Sequence, residues 1–212
     1  MPKIIDLSQP VSDGGPVFPG DPEIKFYTHH THESVGYRVT RFEMGTHTGT
    51  HLDVPLHKLP GGASVSEIPL SQFMGRAYVA DMTMLEPGEE IAVAHLSAHE
   101  AEMAGCTALI LKTGWASRYG QGDFFSGFNG ISEAAAKWIV AKGFSLIALE
   151  SPSVHPVKHQ EIHTILLESG VIVVETICNV DAIQKPTVWF CAAPLKLIGL
   201  DGSPVRAFVI ED

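Results

Sequence analysis

The stretch ISEAAAKWIVAKGFSLIALE, residues 131–150, sets the fold class. Its first part is Ala-rich, opens behind Ser132 as a suitable N-cap and stops at Gly143, the marks of a capped helix. Its second part, SLIALE from 145, is a short apolar run with the length and composition of a buried strand. The same order recurs on both sides: VAHLSAHEAEMAG precedes TALILKT at 107, and HTILLESG precedes VIVVET at 171. Three helix-then-strand units in succession predict buried strands with helices packed on them, an α/β arrangement.

Outward from this block, strand-like runs rich in Val, Ile, Thr and aromatics occur as KIID at 3, YRVTRFEM at 37, AYVADM at 77, TVWFCAA at 187 and VRAFVIE at 205. The first half is richer in Pro, Gly and β-type runs and reads as loops and antiparallel ribbon. The expected fold is therefore an α/β domain with a mixed, barrel-like sheet. At 212 residues, with no internal repeat or low-complexity linker, the chain suits one domain spanning 1–212.

A formal net charge of -10 argues against nucleic acid as a partner, because a phosphate binder needs a basic surface. No apolar run reaches the roughly 18 residues of a membrane span, and MPKIIDLSQPVSDGG at the start lacks the apolar core of a signal peptide. The cysteines, Cys106, Cys178 and Cys191, are odd in number and widely spaced, as expected of free thiols in a reducing, cytoplasmic setting.

The chemistry concentrates in HTGTHLDVPLH, residues 47–57, where His47, His51, Asp53 and His57 stand close in sequence. Gly49 and Pro55 argue against a regular helix. On a flat strand these side chains would share one face, yet His47 and His51 would stand about 13 Å apart at roughly 3.3 Å per residue. One metal ion needs its nitrogens about 2.1 Å away. If both histidines serve one ion, the chain must bend between them, and Gly49 is where bending costs least. Imidazoles and a carboxylate able to bridge two cations are a metal-binding set.

A second cluster, HPVKHQEIH at 155–163, lacks the H-E-x-x-H order of zincins. His163 opens the helix-like run, and Glu175 closes the apolar run VIVVE. A glutamate ending a buried strand costs several kcal/mol unless paired or metal-bound, so Glu175 is a better ligand candidate than Glu161.

Residues 47–57 match every fixed position of H-x-G-T-H-x-D-x-P-x-H, and through it the chain resembles the metal-dependent cyclase family, also called the bacterial kynurenine formamidase-like hydrolases. FPGDP at 18, LILKTGW at 109, FNGIS at 128, LLESGVIVVE at 166 and PLKLIGLDGSPVRAFVI at 194 look like further family segments. The resemblance implies a swivelling β/β/α-type fold, in homodimers or homotetramers. It implies one divalent ion on His47, His51 and Asp53. In the formamidase branch a second ion lies on Asp53, His163 and Glu175, with the glutamate touching both. It implies His57 as proton donor and acceptor. Formamidases carry tryptophan where this chain has Phe18, and the family often has Asp where His155 and Glu150 stand.

The expected function is metal-assisted hydrolysis, with zinc or manganese, of the amide in a small aryl formamide such as formylkynurenine, a step of tryptophan catabolism. Alternatives are a cyclase or dehydratase on another carbonyl substrate, a cyclic-amide hydrolase, or a non-catalytic metal-binding protein. His57 reads as the proton carrier, with a fourth-ligand role left open, and Phe18 as an apolar wall for the substrate. HHTH at 29–32 and the pair His95 and His99 read as solvated surface. YGQGDFFSGFNG at 119–130 reads as a mobile loop near the site or at a subunit contact.

Overall fold

The computed structural model describes residues 2–211. In chain order its elements are β1 (Lys3–Asp6), β2 (Lys25–His30), α1 (His32–Val35), β3 (Val39–Glu43), β4 (His51–Asp53), β5 (Met74–Asp81), α2 (Val93–Ser97), β6 (Ala108–Lys112), α3 (Glu133–Ala141), β7 (Leu146–Leu149), α4 (His159–Glu168), β8 (Ile172–Glu175), β9 (Thr187–Cys191), β10 (Gly202–Pro204) and β11 (Phe208–Glu211). All eight strand-like runs read from the sequence contain a strand.

One nine-stranded mixed sheet runs β1-β11-β9-β5-β6-β7-β8-β4-β10. Its centre, β5 to β8, is parallel, and both flanks are antiparallel. Parallel strands covered on both faces need unbroken apolar sequence, and β6, β7 and β8 supply it. Ser132 Oγ accepts the Ala135 N–H at 3.2 Å, the cap expected of α3. The face under α2, α3 and α4 packs Leu109, Leu111, Ile147, Leu149 and Val173 against Ile139, Ile162 and Leu166.

Connectivity forces the sheet to curl. Only residues 205–207 separate β10, one edge, from β11, beside the other edge. Four residue steps span at most about 14 Å, whereas seven strand spacings in a flat sheet would need about 34 Å. The sheet therefore wraps round its second face into a half-barrel, and Ile5 and Val209 from one end share a buried cluster with Leu52 and Val54 from the other. Backbone contacts cross the gap: Cys178 N–H donates to Leu7 O at 2.8 Å, and Pro194 bridges Val205.

Two helices differ from the sequence reading. The run from Val93 stays helical only to Ser97 and continues as tight turns, where Met103 is buried and Glu102 accepts from the Tyr78 hydroxyl at 3.0 Å. Tertiary contacts there outweigh helix propensity. α4 begins at His159, so His163 lies in its second turn rather than opening the helix. No side chain caps this helix, and the residues before it are fixed instead: His155 Nδ1 accepts the N–H groups of Val157 and Lys158 at 3.0 and 2.9 Å.

β2 and β3 form a separate ribbon that pairs Phe26 with Phe42 and has no buried residue. His29, His30 and His32 sit at its far end, outside the cleft described below. No helix among the described residues is long and apolar enough to cross a membrane.

Candidate metal centre

Strand alternation and register assemble the floor of the site. In β4, His51 and Asp53 face one side while Leu52 enters the inner apolar cluster. His51 stands opposite Glu175 in the antiparallel β4–β8 pair, and Leu52 opposite Val174. His51, Asp53 and Glu175 therefore share one face, and all three are buried. The second turn of α4 lays His163 over the same spot, with Nε2 3.1 Å from both Asp53 Oδ2 and Glu175 Oε1.

The bend at Gly49 exists: its φ is +59°, a conformation that L side chains rarely adopt, and an added Cβ would lie 2.9 Å from Val11 Cγ2. It brings the rings of His47 and His51 to 5.2 Å between centroids. His47 Nδ1 then lies 2.7 Å from Asp53 Oδ1. Beyond Asp53 a short 3-10 turn, Pro55–His57, folds the chain back and puts the His57 ring 4.1 Å from His47 and 5.5 Å from His163.

Hydrogen bonds orient these rings. His51 Nδ1–H donates to Gly49 O at 2.9 Å, and His163 Nδ1–H to His159 O at 2.8 Å. Each Nε2 is thereby aimed at the carboxylates. A lone pair facing carboxylate oxygens in a buried site is repulsive unless a cation stands between them, either a proton or a metal ion. Ligands about 2.1 Å from a tetrahedral ion stand about 3.4 Å apart. His51 Nε2 lies 3.6 Å from Asp53 Oδ1 and 3.5 Å from Glu175 Oε2. The other oxygen of each carboxylate faces His163. This nitrogen and oxygen set fits one ion held by His51, Asp53 and Glu175, while His47, Asp53 and His57 form a second compact donor group.

Without such an ion, protons hold the cluster together. Burial alone would lower the pKa of His163, but hydrogen bonds to Asp53 and Glu175 raise it to about 10. Burial likewise opposes the charge on His47, whose contacts with Asp53 and Asp201 prevail and lift it to about 9. Burial acts to raise Asp53, yet His163 and His47 hold it well below the usual carboxylate range. His57 goes the other way: burial, with His47, Lys58 and His163 nearby, lowers it to about 4. At pH 7 it is therefore a neutral imidazole.

A cleft opens over these residues. Its wall includes Pro16, Phe18, Lys58, Tyr119, Phe124, Phe125 and His159. Phe18 meets Phe125 edge-on at 5.6 Å. Tyr119 Oη is buried without a hydrogen-bond partner among the described residues. The loop 119–130 lies at the cleft, as expected of it, and is anchored by buried Phe124 and Phe128 packed on Trp115.

The site thus gathers every residue singled out for it: His47, His51, Asp53, His57, His163, Glu175 and Phe18. Glu150 and His155 lie outside it. The Glu150 carboxylate accepts two backbone N–H groups, from Thr113 and Gly114, at 2.6 Å each. The sequence reading missed Asp201, whose Oδ2 lies 2.9 Å from His47 Nε2 and 3.7 Å from His57 Nδ1. A signal existed in the following glycine. A Cβ on Gly202 would stand 2.7 Å from Leu52 O and 2.8 Å from His47 Cε1, so only glycine admits this close approach.

The Cyclase family model matches residues 5–156. The chain belongs to the cyclase family. A relative, the kynurenine formamidase of Polaromonas naphthalenivorans, is 31% identical, over 99% of this chain and 91% of that protein. The solved structure of a predicted metal-dependent hydrolase from Bacillus stearothermophilus is 25% identical with a TM-score of 0.82, covering 100% of both chains. Isatin hydrolase A from Labrenzia aggregata shares the fold at a TM-score of 0.88 and 22% identity, covering 99% of this chain and 94% of that one.

Proposed function

We propose that this chain is a metal-dependent hydrolase of the amide bond in a small aryl formamide, of the formylkynurenine type. The observation that carries the reading is the division of the Asp53 and Glu175 oxygens between His51 and His163 beneath an aromatic-walled cleft. The formamidase relative, similar over nearly the whole chain, supports the substrate class. His47, His51, Asp53, His163 and Glu175 would hold one or two divalent ions, zinc by donor type, with manganese also compatible. When bound, such an ion supplies water with its pKa lowered towards about 7 and a Lewis acid for the carbonyl oxygen.

The chain's own groups do the rest. Phe18, Phe124 and Phe125 hold the aryl ring and exclude water. Neutral His57 takes a proton from the attacking water and returns it to the departing amine, which leaves poorly as an anion. Asp201, beside His57 Nδ1 and His47 Nε2, orients both rings. The decisive experiment follows formylkynurenine and formanilide hydrolysis by protein stripped with chelator and reloaded with zinc or manganese. Turnover that returns with metal is expected; none with either ion overturns the reading. A cytoplasmic homodimer or homotetramer accompanies it. The exposed Phe26, Tyr37 and Phe42 of the ribbon support self-association, which light scattering in solution tests.

A further inference from the structure

The floor of the cleft is rich in carboxylates, yet its rim carries a free cation. Lys58 follows His57 directly, and its ion pairs are conspicuously missing. Among the described residues no carboxylate lies within 4.0 Å of its ammonium, although acidic residues outnumber basic ones 24 to 14. Arg38, Arg76, Lys185 and Lys196 also lack such a partner, but all four are exposed, whereas Lys58 is half-buried and lines the cleft.

The backbone beneath Lys58 is fixed. Its N–H donates to Pro55 O at 3.2 Å, and the Leu59 N–H donates to the same oxygen at 2.9 Å. Gly62 packs so tightly on this turn that a Cβ would lie 2.7 Å from the Pro55 carbonyl carbon. The turn that positions His57 therefore also positions the lysine stem. Of the carboxylates lining the cleft, Asp53 and Glu175 are engaged with His163, and exposed Asp21 lies more than 4.0 Å from the Lys58 ammonium. The walls contributed by Phe18 and Phe125 are apolar. A half-buried lysine with no carboxylate partner among the described residues, beside an aromatic wall, is a recognition group for an anion carried by the ligand.

We propose that Lys58 binds a carboxylate on the substrate, so that this chain acts on aryl formamides that carry an anionic group. This rests on the hydrolase reading above. The ring lies against the phenylalanines, the amide lies over the imidazole floor, and the carboxylate meets the Lys58 ammonium.

The test compares wild type, Lys58→Met and Lys58→Arg, all zinc-loaded. Substrates are formanilide and the ortho-, meta- and para-formamidobenzoates. Benzoate and benzamide serve as unreactive ligands in calorimetry. Wild type is expected to prefer at least one formamidobenzoate over formanilide in kcat/KM. In Lys58→Met that preference falls about tenfold or more, the scale of a hydrogen bond to a charged group, and Lys58→Arg restores most of it. Benzoate affinity falls about tenfold in Lys58→Met and loses its salt dependence, with benzamide affected far less.

An unchanged preference, or benzoate binding equal in wild type and Lys58→Met, overturns the proposal and places the carboxylate elsewhere. Equal losses on charged and neutral substrates, with a shifted pH profile, also overturn it and make Lys58 a modulator of His57. If no formamide is turned over at all, the hydrolase reading fails, and the benzoate arm still decides whether Lys58 is an anion site.

Discussion

The floor of the cleft is regular structure and its wall is loop. His51, Asp53 and Glu175 stand on paired strands, where register alone fixes which side chains meet. His163 is held by a helix whose leading residues, Val157 and Lys158, donate to His155. Phe18, Lys58, Tyr119 and Phe125 come from connecting segments and meet mainly through side-chain contacts. The floor can vary little, because a one-residue slip of β4 would turn His51 and Asp53 into the apolar inner cluster. The wall can change residue by residue without disturbing the sheet. A reaction is thus set by the floor and a substrate by the wall, and substitutions in the two regions should fail differently.

The largest effect is expected from Asp53→Asn. It removes the carboxylate shared by both ion positions, so bound metal measured by elemental analysis falls to background and turnover goes with it. Metal content retained at wild-type level would break the distinction at its root. His57→Ala should leave metal content intact while kcat falls by about 10²–10⁴, the usual worth of a general acid–base group. Loss of metal in that variant would make His57 a ligand instead.

How far the sequence alone led follows the same division. The parallel strands β6, β7 and β8 were legible because strands covered on both faces must be continuously apolar. The floor was legible because its donors crowd around one bend, and Gly49 takes the conformation that the bend requires. Asp201 was not, since it reaches His47 from 154 residues away and stands just before β10, a strand of three residues too short to show a pattern. The early start of α4 was hidden because no side chain caps it, so the usual Ser, Asp or Asn signal is absent. The wall was legible at Phe18 and, as a whole loop, at 119–130, but not in which side chains of that loop enter the cleft. Lys58, Tyr119 and Phe125 carry no periodicity, and their meeting is a product of the loops.

Asp201→Asn sharpens the boundary between the two regions. It supports two imidazoles from outside the ion positions, so a loss of about 10–100-fold in metal affinity or activity is expected, with the fold unchanged by circular dichroism. Phe18→Ala should cost less. An edge-on aromatic contact is worth about 0.5–1.5 kcal/mol, hence a drop of roughly two- to tenfold in kcat/KM that appears mostly in KM. A fall in kcat alone would move Phe18 from the wall to the reacting centre.

A separate readout of the floor is stability, measured as Tm against pH for chelator-stripped protein. His163 and His47 are raised from 6.5 to about 10 and about 9, so their contribution is fully present below pH 6.5 and is lost as pH rises towards 9–10. Asp53 is lowered, so its contribution is present above the ordinary carboxylate range and lost on acidification through its depressed pKa. Stability should therefore decline on the alkaline side and recover when zinc replaces the protons. A flat alkaline limb would mean that the rings are not charged without metal.

The most direct test of the account is an anomalous-scattering map, recorded above and below the zinc edge, from crystals grown with excess zinc. The account predicts a peak about 2.1 Å from His51 Nε2 and shared with Asp53, with any second peak beside His163 Nε2. Zinc-free density at both positions, with His51 and His163 still hydrogen-bonded to the carboxylates, would contradict it.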